Sequence, residues 1–354
     1  MAFIAGLMLL DAPASALNNQ GQVEGGRTDN VVAVKFIRTR QGAYPYVSAQ
    51  AYRFWLRTSL EGNGSWKAAP IFRERKIAYS DGDPVTYWDD DLFGYMRASS
   101  RKEKATAEEA ANRGTATSTE LTRVSPFRMS TLVSLAPIIL TDDFGVMNRH
   151  KNGDPVPHEH QFYRATLKGL FSLDLGAAGC FSYRDKAGFC NLDDTRRKLC
   201  DDKGLEHLGE RFCYRMPLAE RAQRVAALLQ GMAVLNGGAK LALHYTDVTP
   251  AVVMAAVLKG GNNPLQYVIG ADSQGLPTLQ PEALKELPAV WGDQMLSKLY
   301  VGWVQGFHDA QRAAMQGALD DLGLPHGFEF GHPREVLDKL AAAVQDPAGA
   351  AWLA

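Results

Sequence analysis

The sequence predicts an α+β fold, and three observations carry that prediction. An unbroken apolar run, Ala2–Leu10, reads as a strand buried on both faces. Strand-like stretches flank the turn dipeptide Asn152-Gly153, the signature of a hairpin. Helical periodicity gathers elsewhere: after Ser48, over Leu218–Leu235, and from Leu279 onward. At 354 residues the chain can bury a full core, as one large domain with insertions or as two domains.

The first strand opens the chain. Ala12-Pro-Ala-Ser-Ala16 imitates a signal-peptidase site, but no basic stretch precedes the apolar run, so a buried strand is the better reading. No segment approaches the ~20 apolar residues of a membrane span, and a cytoplasmic protein is expected. Asn18-Asn19 then reads as turn chemistry, residues 20–30 as loop, and Val31–Arg40 as a second strand.

A formal net charge of -1 does not advertise a nucleic-acid binder, so any such surface must be local. Positive charge concentrates in residues 31–57, where Lys35, Arg38, Arg40, Arg53 and Arg57 occur without Asp or Glu and alternate with Tyr44 and Tyr46. Ser48 stands where a helix N-cap belongs. On the helix it opens, Gln50, Arg53 and Arg57 fall within about 60° of one another, while Ala51, Tyr52, Phe54, Trp55 and Leu56 fill the arc expected to be buried. The polar face is either solvated or a pair of guanidiniums set for successive phosphates.

Past Leu60 the chain becomes polar and irregular up to Glu120, which reads as an insertion. Arg101–Thr119 is expected to be mobile or weakly helical, and Asp89–Asp91 to cap and solvate a helix over Leu92–Met96. Arg123 and Arg128 flank a Ser-Pro turn and reach either phosphate or solvent. Thr131–Leu140 returns to the core. Thr141–His160 is the hairpin, with Val146 and Met147 before its tip and Asn148, Arg149, His150 and Lys151 at it.

Gln161–Leu175 continues the sheet, Phe171–Tyr183 is strand-like, and Arg184–Cys213 is a charged insertion. Cys180, Cys190, Cys200 and Cys213 fit neither a zinc knuckle nor a Cys-x-x-Cys redox pair, leaving scattered thiols or a loop-stabilising zinc. His158-x-His160 lacks a third ligand. Leu218–Leu235 is an amphipathic helix closed by Asn236-Gly237-Gly238, with Lys240 just beyond. Leu241–Leu258 should supply strands. Pro281–Leu287, Ala310–Leu322 and Pro333–Val344 should be helices, around a strand at Leu299–Val304. No nucleophile elbow, zinc-protease helix, phosphate loop or dinucleotide fingerprint occurs, so neither catalysis nor a cofactor nor a metal is expected.

Taken together, several of these segments resemble a known family. Asn18-Asn19 after a first strand, Tyr44-Pro-Tyr-Val-Ser-Ala-Gln50 with the Arg53/Arg57 helix, Asp91-Leu-Phe-Gly-Tyr-Met-Arg97, Arg123-Val-Ser-Pro126 and Gly237-Gly-Ala-Lys240 occur in that family's order. The chain resembles the backbone subunits of CRISPR Cascade complexes, the "Cas-seven" superfamily, and most of all the DevR-like branch of type I-B systems.

The resemblance implies a modified RRM/ferredoxin-like palm over residues 1–60 and 121–354, a helical finger insertion over 61–120, a thumb hairpin about 141–160 and a C-terminal helical part about 280–354. It implies CRISPR RNA held by Asn18, Asn19, Lys35, Arg38, Arg40, Tyr46, Ser48, Gln50, Arg53, Arg57, Arg123, Arg128, Gly237, Gly238 and Lys240. The thumb residues Val146, Met147, Asn148, Arg149, His150 and Lys151 would fold over the guide, the apolar ones wedging between bases. Partners would be the CRISPR RNA at about six nucleotides per copy, target DNA through guide pairing, further copies head to tail, and other Cascade subunits.

Related type III backbone subunits cut RNA with an aspartate near the first long loop, where Asp29 stands here. In the type I branch the subunit binds and a separate helicase-nuclease cleaves. Two other classes remain open: a standalone RNA-processing endoribonuclease with an RRM-like core, for which His150 is the candidate, and a non-nucleic-acid enzyme whose pocket carries Arg53 and Arg57.

Overall fold

The computed structural model describes residues 1–22, 31–62, 64–74, 77–97, 121–147 and 155–354. It is an α+β fold built on a 12-stranded mixed sheet. The first strand, Ala2–Ser15, lies in the middle. It pairs antiparallel with the long strand Val156–Asp174 on one side and with Val252–Lys259 on the other. Beyond the long strand come Leu132–Ser134, Gly42–Val47 and Phe36–Thr39; beyond Val252–Lys259 come Leu299–Trp303 and, parallel to it, Phe328–Gly331.

The apolar run at the start of the chain is explained by two cores. Ile4, Met8 and Leu10 face the helices Ala49–Glu61, Leu218–Ala233 and Pro333–Gln345. Ala5, Leu7 and Leu9 face Leu284 and Leu287 of Pro281–Trp291 and Met315 and Leu319 of Asp309–Asp320. A strand covered on both faces cannot alternate with polar residues. Its glycine also has a reason: a Cβ at Gly6 would lie 2.2 Å from Cζ of Phe171, its cross-strand partner.

Ser48 caps Ala49–Glu61 as expected, its Oγ accepting from the Ala51 amide at 3.3 Å. Ser48→Ala should cost about 1 kcal/mol of unfolding free energy in urea titration, the usual worth of such a cap. Tyr52, Trp55, Leu56 and Leu60 are buried. Phe54, expected among them, is 67% exposed. At 100° per residue it points roughly opposite the centre of the buried arc.

Other boundaries move for identifiable reasons. Val31–Arg40 is two strands, Val31–Val34 and Phe36–Thr39. The break falls at Lys35, whose amide donates to Asn18 O (2.8 Å) and whose carbonyl accepts from the Tyr46 amide (3.1 Å). The long strand stops at Asp174, and a separate short strand, Cys180–Ser182, joins Cys213–Arg215 and Glu206–Leu208 in a sheet of its own. The charged insertion thus has a small core around Phe181, Cys200 and Tyr214. Leu241–Ala251 forms turns, with strand only from Val252.

The largest departure lies in the polar block. Asp89, Asp90 and Asp91 are buried, on the helix Trp88–Phe93. Asp91 pairs with Arg123 and, at 2.7 Å, with Arg224 of Leu218–Ala233, and accepts from the Gly179 amide. Asp89 accepts from the Ala69 amide (2.7 Å), and Asp90 from Ser80 Oγ (2.5 Å). The triplet is therefore not a solvated cap but the fastening between this block and the main core. Arg101–Thr119 lies outside the described residues.

Candidate nucleic-acid interface

The end of the sheet at Ser15 gathers most of the polar residues singled out in the sequence. Asn18 Oδ1 accepts from the Ser48 amide at 3.1 Å, tying the loop after the first strand to the helix start. Through its backbone bond to Lys35 and the Lys35–Tyr46 bond, Asn18 draws Lys35, Tyr46 and Ser48 around one helix N-terminus. Such a terminus carries partial positive charge and free amides, which favours anions. Arg38 and Arg40 are exposed at the tight turn between Phe36–Thr39 and Gly42–Val47, Arg38 standing 5.4 Å from the Phe36 ring. Gln50 is exposed on the first turn of the helix.

The loop after Leu218–Ala233 closes on the same place. A Cβ at Gly237 would sit 2.2 Å from Trp55 Cγ, so only glycine lets this backbone lie flat on the indole. Gly238 has φ +119 and packs against Leu17 and Leu241. Lys240 has φ 54, a left-handed conformation that a side chain rarely adopts. Its carbonyl accepts from the amides of Leu243 and His244, each at 2.9 Å.

The hairpin base borders this loop. Thr141–Met147 pairs with Val156–Phe162, and Glu159 and His160 pair parallel with Val31 and Val32. His158 and His160 point to one side of the strand, as their spacing dictates, stacked at 5.8 Å, and His244 meets His160 edge-on at 5.0 Å. His160 Nε2 lies 3.3 Å from Asp143. Burial pushes the His160 imidazole below its ordinary value, the nearby Lys240 charge adds to this, and Asp143 opposes it. Nδ1 of His158, Nδ1 of His160, Nε2 of His244 and Oδ1 of Asn19 are buried without hydrogen-bond partners, a concentration of unsatisfied polar atoms in one region. Val146 and Met147 are each 53% exposed. Asn148, Arg149, His150, Lys151 and Asp29 lie outside the described residues.

The other four candidate arginines stand apart from this group. Arg53 and Arg57 do lie together, but against Phe93 of the polar block, at 5.4 and 4.5 Å from its ring. Arg53 Nη2 donates to the Phe93 carbonyl and to Ser125 Oγ (3.0 Å). Burial, helped by the neighbouring Arg57 charge, lowers the Arg53 guanidinium to about 10. Arg123 is a correction. It is 5% exposed and spends its donors on Asp91, Asn191 and the carbonyls of Asp91, Ala177 and Cys180, so none is left for phosphate or solvent. Arg128 is exposed but belongs elsewhere. Its strand pairs with Phe171–Leu173, some ten residues along the long strand from the hairpin, or roughly 30 Å.

His244 and its loop gave no signal in the sequence; they join the candidate surface because the chain returns there after Leu218–Ala233, where His244 packs against His160 and Phe162. Among the described residues, no group of three or more His, Cys, Asp or Glu side chains is placed to hold a metal ion. Nor is any helix there long and apolar enough to cross a membrane.

No protein-family model and no curated protein matches the sequence. The fold does match solved structures. It superposes on a chain of a CRISPR RNA-guided surveillance complex with a TM-score of 0.53 at 14% identity, covering 97% of this chain and 99% of that one. A chain of a pre-nicking CRISPR RNA-guided surveillance complex gives 0.54 at 12% identity, covering 96% and 99%. At these identities the likeness is one of fold.

Proposed function

We propose that the chain is a CRISPR RNA-binding backbone subunit of a type I surveillance complex (Cascade), of the DevR-like, type I-B branch, without catalytic activity of its own. The observation that carries this reading is the meeting, at one end of the sheet, of the Asn18–Lys35–Ser48 helix start, the Gly237–Lys240 loop and the apolar-edged hairpin. Full-length likeness in fold to chains of CRISPR surveillance complexes supports it. Two strands flanking the first, and the helices Ala49–Glu61 and Leu218–Ala233 on one face, support an RRM-like palm over 1–60 and 121–354, with 61–120 as finger and 141–160 as thumb.

In this reading the palm's cations and amides hold the RNA backbone, irrespective of sequence. Val146 and Met147 press between bases, copies follow one another along the RNA in an open filament, and target DNA is read by guide pairing. Other Cascade subunits close its ends, and the complex works in the cytoplasm. The endoribonuclease alternative is not favoured.

The test is size-exclusion chromatography at two absorbance wavelengths, before and after nuclease treatment, with CRISPR RNA added back to the stripped protein. The expected result is a large RNA-bearing species that collapses on digestion and reforms with the RNA. Protein that stays free of added CRISPR RNA at low salt would remove the reading.

A further inference from the structure

At the opposite end of the sheet from the interface, a cavity of about 420 Å³ opens beside the cysteine-bearing insertion. Cys180 and Cys213 both line it, and so do Arg128, Arg184, Arg211 and Arg221, with Asp174 as the acidic side chain among the described residues of its wall and the terminal Ala354 beside them. Among the described residues Arg184, Arg211 and Arg221 pair with no carboxylate: Arg221 donates to the carbonyls of Ala178 and Leu175, and Arg184 to that of Arg211. The cavity therefore carries an excess of uncompensated positive charge and suits a small organic anion.

The two thiols are brought together by register. Ser182 is opposite Cys213 and Cys180 opposite Arg215, so the cysteines are diagonal neighbours on adjacent antiparallel strands. Their side chains lie on the same face of this small sheet, both are partly exposed, and Cys213 Sγ donates to the Tyr214 carbonyl at 3.3 Å. Cys190 and Cys200 are buried and do not line the cavity.

We propose that Cys180 and Cys213 are a redox-active dithiol that exchanges with anionic low-molecular-weight disulfides, of the glutathione class, bound in the arginine-lined cavity. Cys213 is the attacking thiol. Its neighbour Cys180 and the nearby Arg123 and Arg221 charges hold the Cys213 thiol below its ordinary value, which favours the nucleophilic thiolate there. The Cys213 sulfur bonds to one sulfur of the ligand, whose disulfide breaks and releases one thiolate. Cys180 then loses its proton to solvent and attacks Cys213, releasing the second thiolate. One disulfide is broken and one formed; the protein gives up two electrons and the ligand takes them.

The experiment treats the full chain with oxidised glutathione, and in parallel with dicationic cystamine at equal concentration, and follows the products by peptide mass mapping. The expected product is a Cys180–Cys213 link, formed about tenfold faster with glutathione at low salt, the preference shrinking as salt screens the arginines. Cys213→Ser should abolish the link and Cys190→Ser should leave it. Arg211→Glu should slow the reaction with glutathione and not with cystamine. Equal rates with the two disulfides, or a product linking other cysteines, would overturn the proposal.

Discussion

Asp91→Ala should lower the unfolding free energy by about 3–5 kcal/mol, read from urea denaturation or as a large drop in melting temperature. Asp91 is fully buried between Arg123 and Arg224, themselves 3% and 2% exposed at the side chain. Removing the carboxylate leaves two guanidiniums in the core with no countercharge, and frees the Gly179 amide as well. The cost comes from stranded charge rather than from lost attraction, since burying an ion pair gains little over well-packed apolar groups. The sign of a double variant follows. Adding Arg224→Met to Asp91→Ala should recover part of the loss, because one stranded charge goes with it. Strictly additive losses would show that the two side chains do not act as a unit.

Replacing Lys35, Arg38 and Arg40 together by alanine should weaken CRISPR RNA binding about 10- to 100-fold near physiological salt. The slope of log affinity against log salt should fall by about 2, at roughly 0.7 per phosphate contact on a single strand. The loss should be the same for unrelated RNA sequences. Filter binding over a salt series measures both quantities. An unchanged slope would move the interface away from this edge of the sheet. These three are cleaner probes than Arg53, whose contacts with the Phe93 carbonyl and Ser125 make its removal a test of folding too.

Local signals carried what depends on neighbours in sequence. The Ser48 cap, the helix behind it, the buried first strand, the hairpin and Leu218–Ala233 are each encoded by residues a few positions apart, and each formed within a few residues of its expected place. The missed features rest on distant partners. Asp91 looks like surface charge until Arg123 and Arg224 arrive from 32 and 133 residues away. Arg53 and Arg57 share a helix face as periodicity predicts, yet what that face meets, Phe93, is decided by how the polar block folds back. The thiol pair was hidden in the same way: a 33-residue spacing matches no motif, and only sheet register makes neighbours of Cys180 and Cys213.

The long strand has a mechanical consequence. Its 19 residues span about 60 Å, and it changes partner without a break: Tyr163 pairs with Ser15 of the first strand, and Phe162 already pairs with Thr141 of the hairpin. From Val156 to Lys168 it contains no glycine. Hairpin and core thus share one continuous strand, and the irregularity at their junction falls in its partner, where the register of the first strand shifts between Ala12 and Ser15. Torque applied to the hairpin is carried into the central sheet, so the angle at which it leaves the body is set by the twist of the core. Softening that shared strand, for instance with paired glycines at Gln161 and Arg164, would let the hairpin swing while the cores on either side of the first strand stay packed.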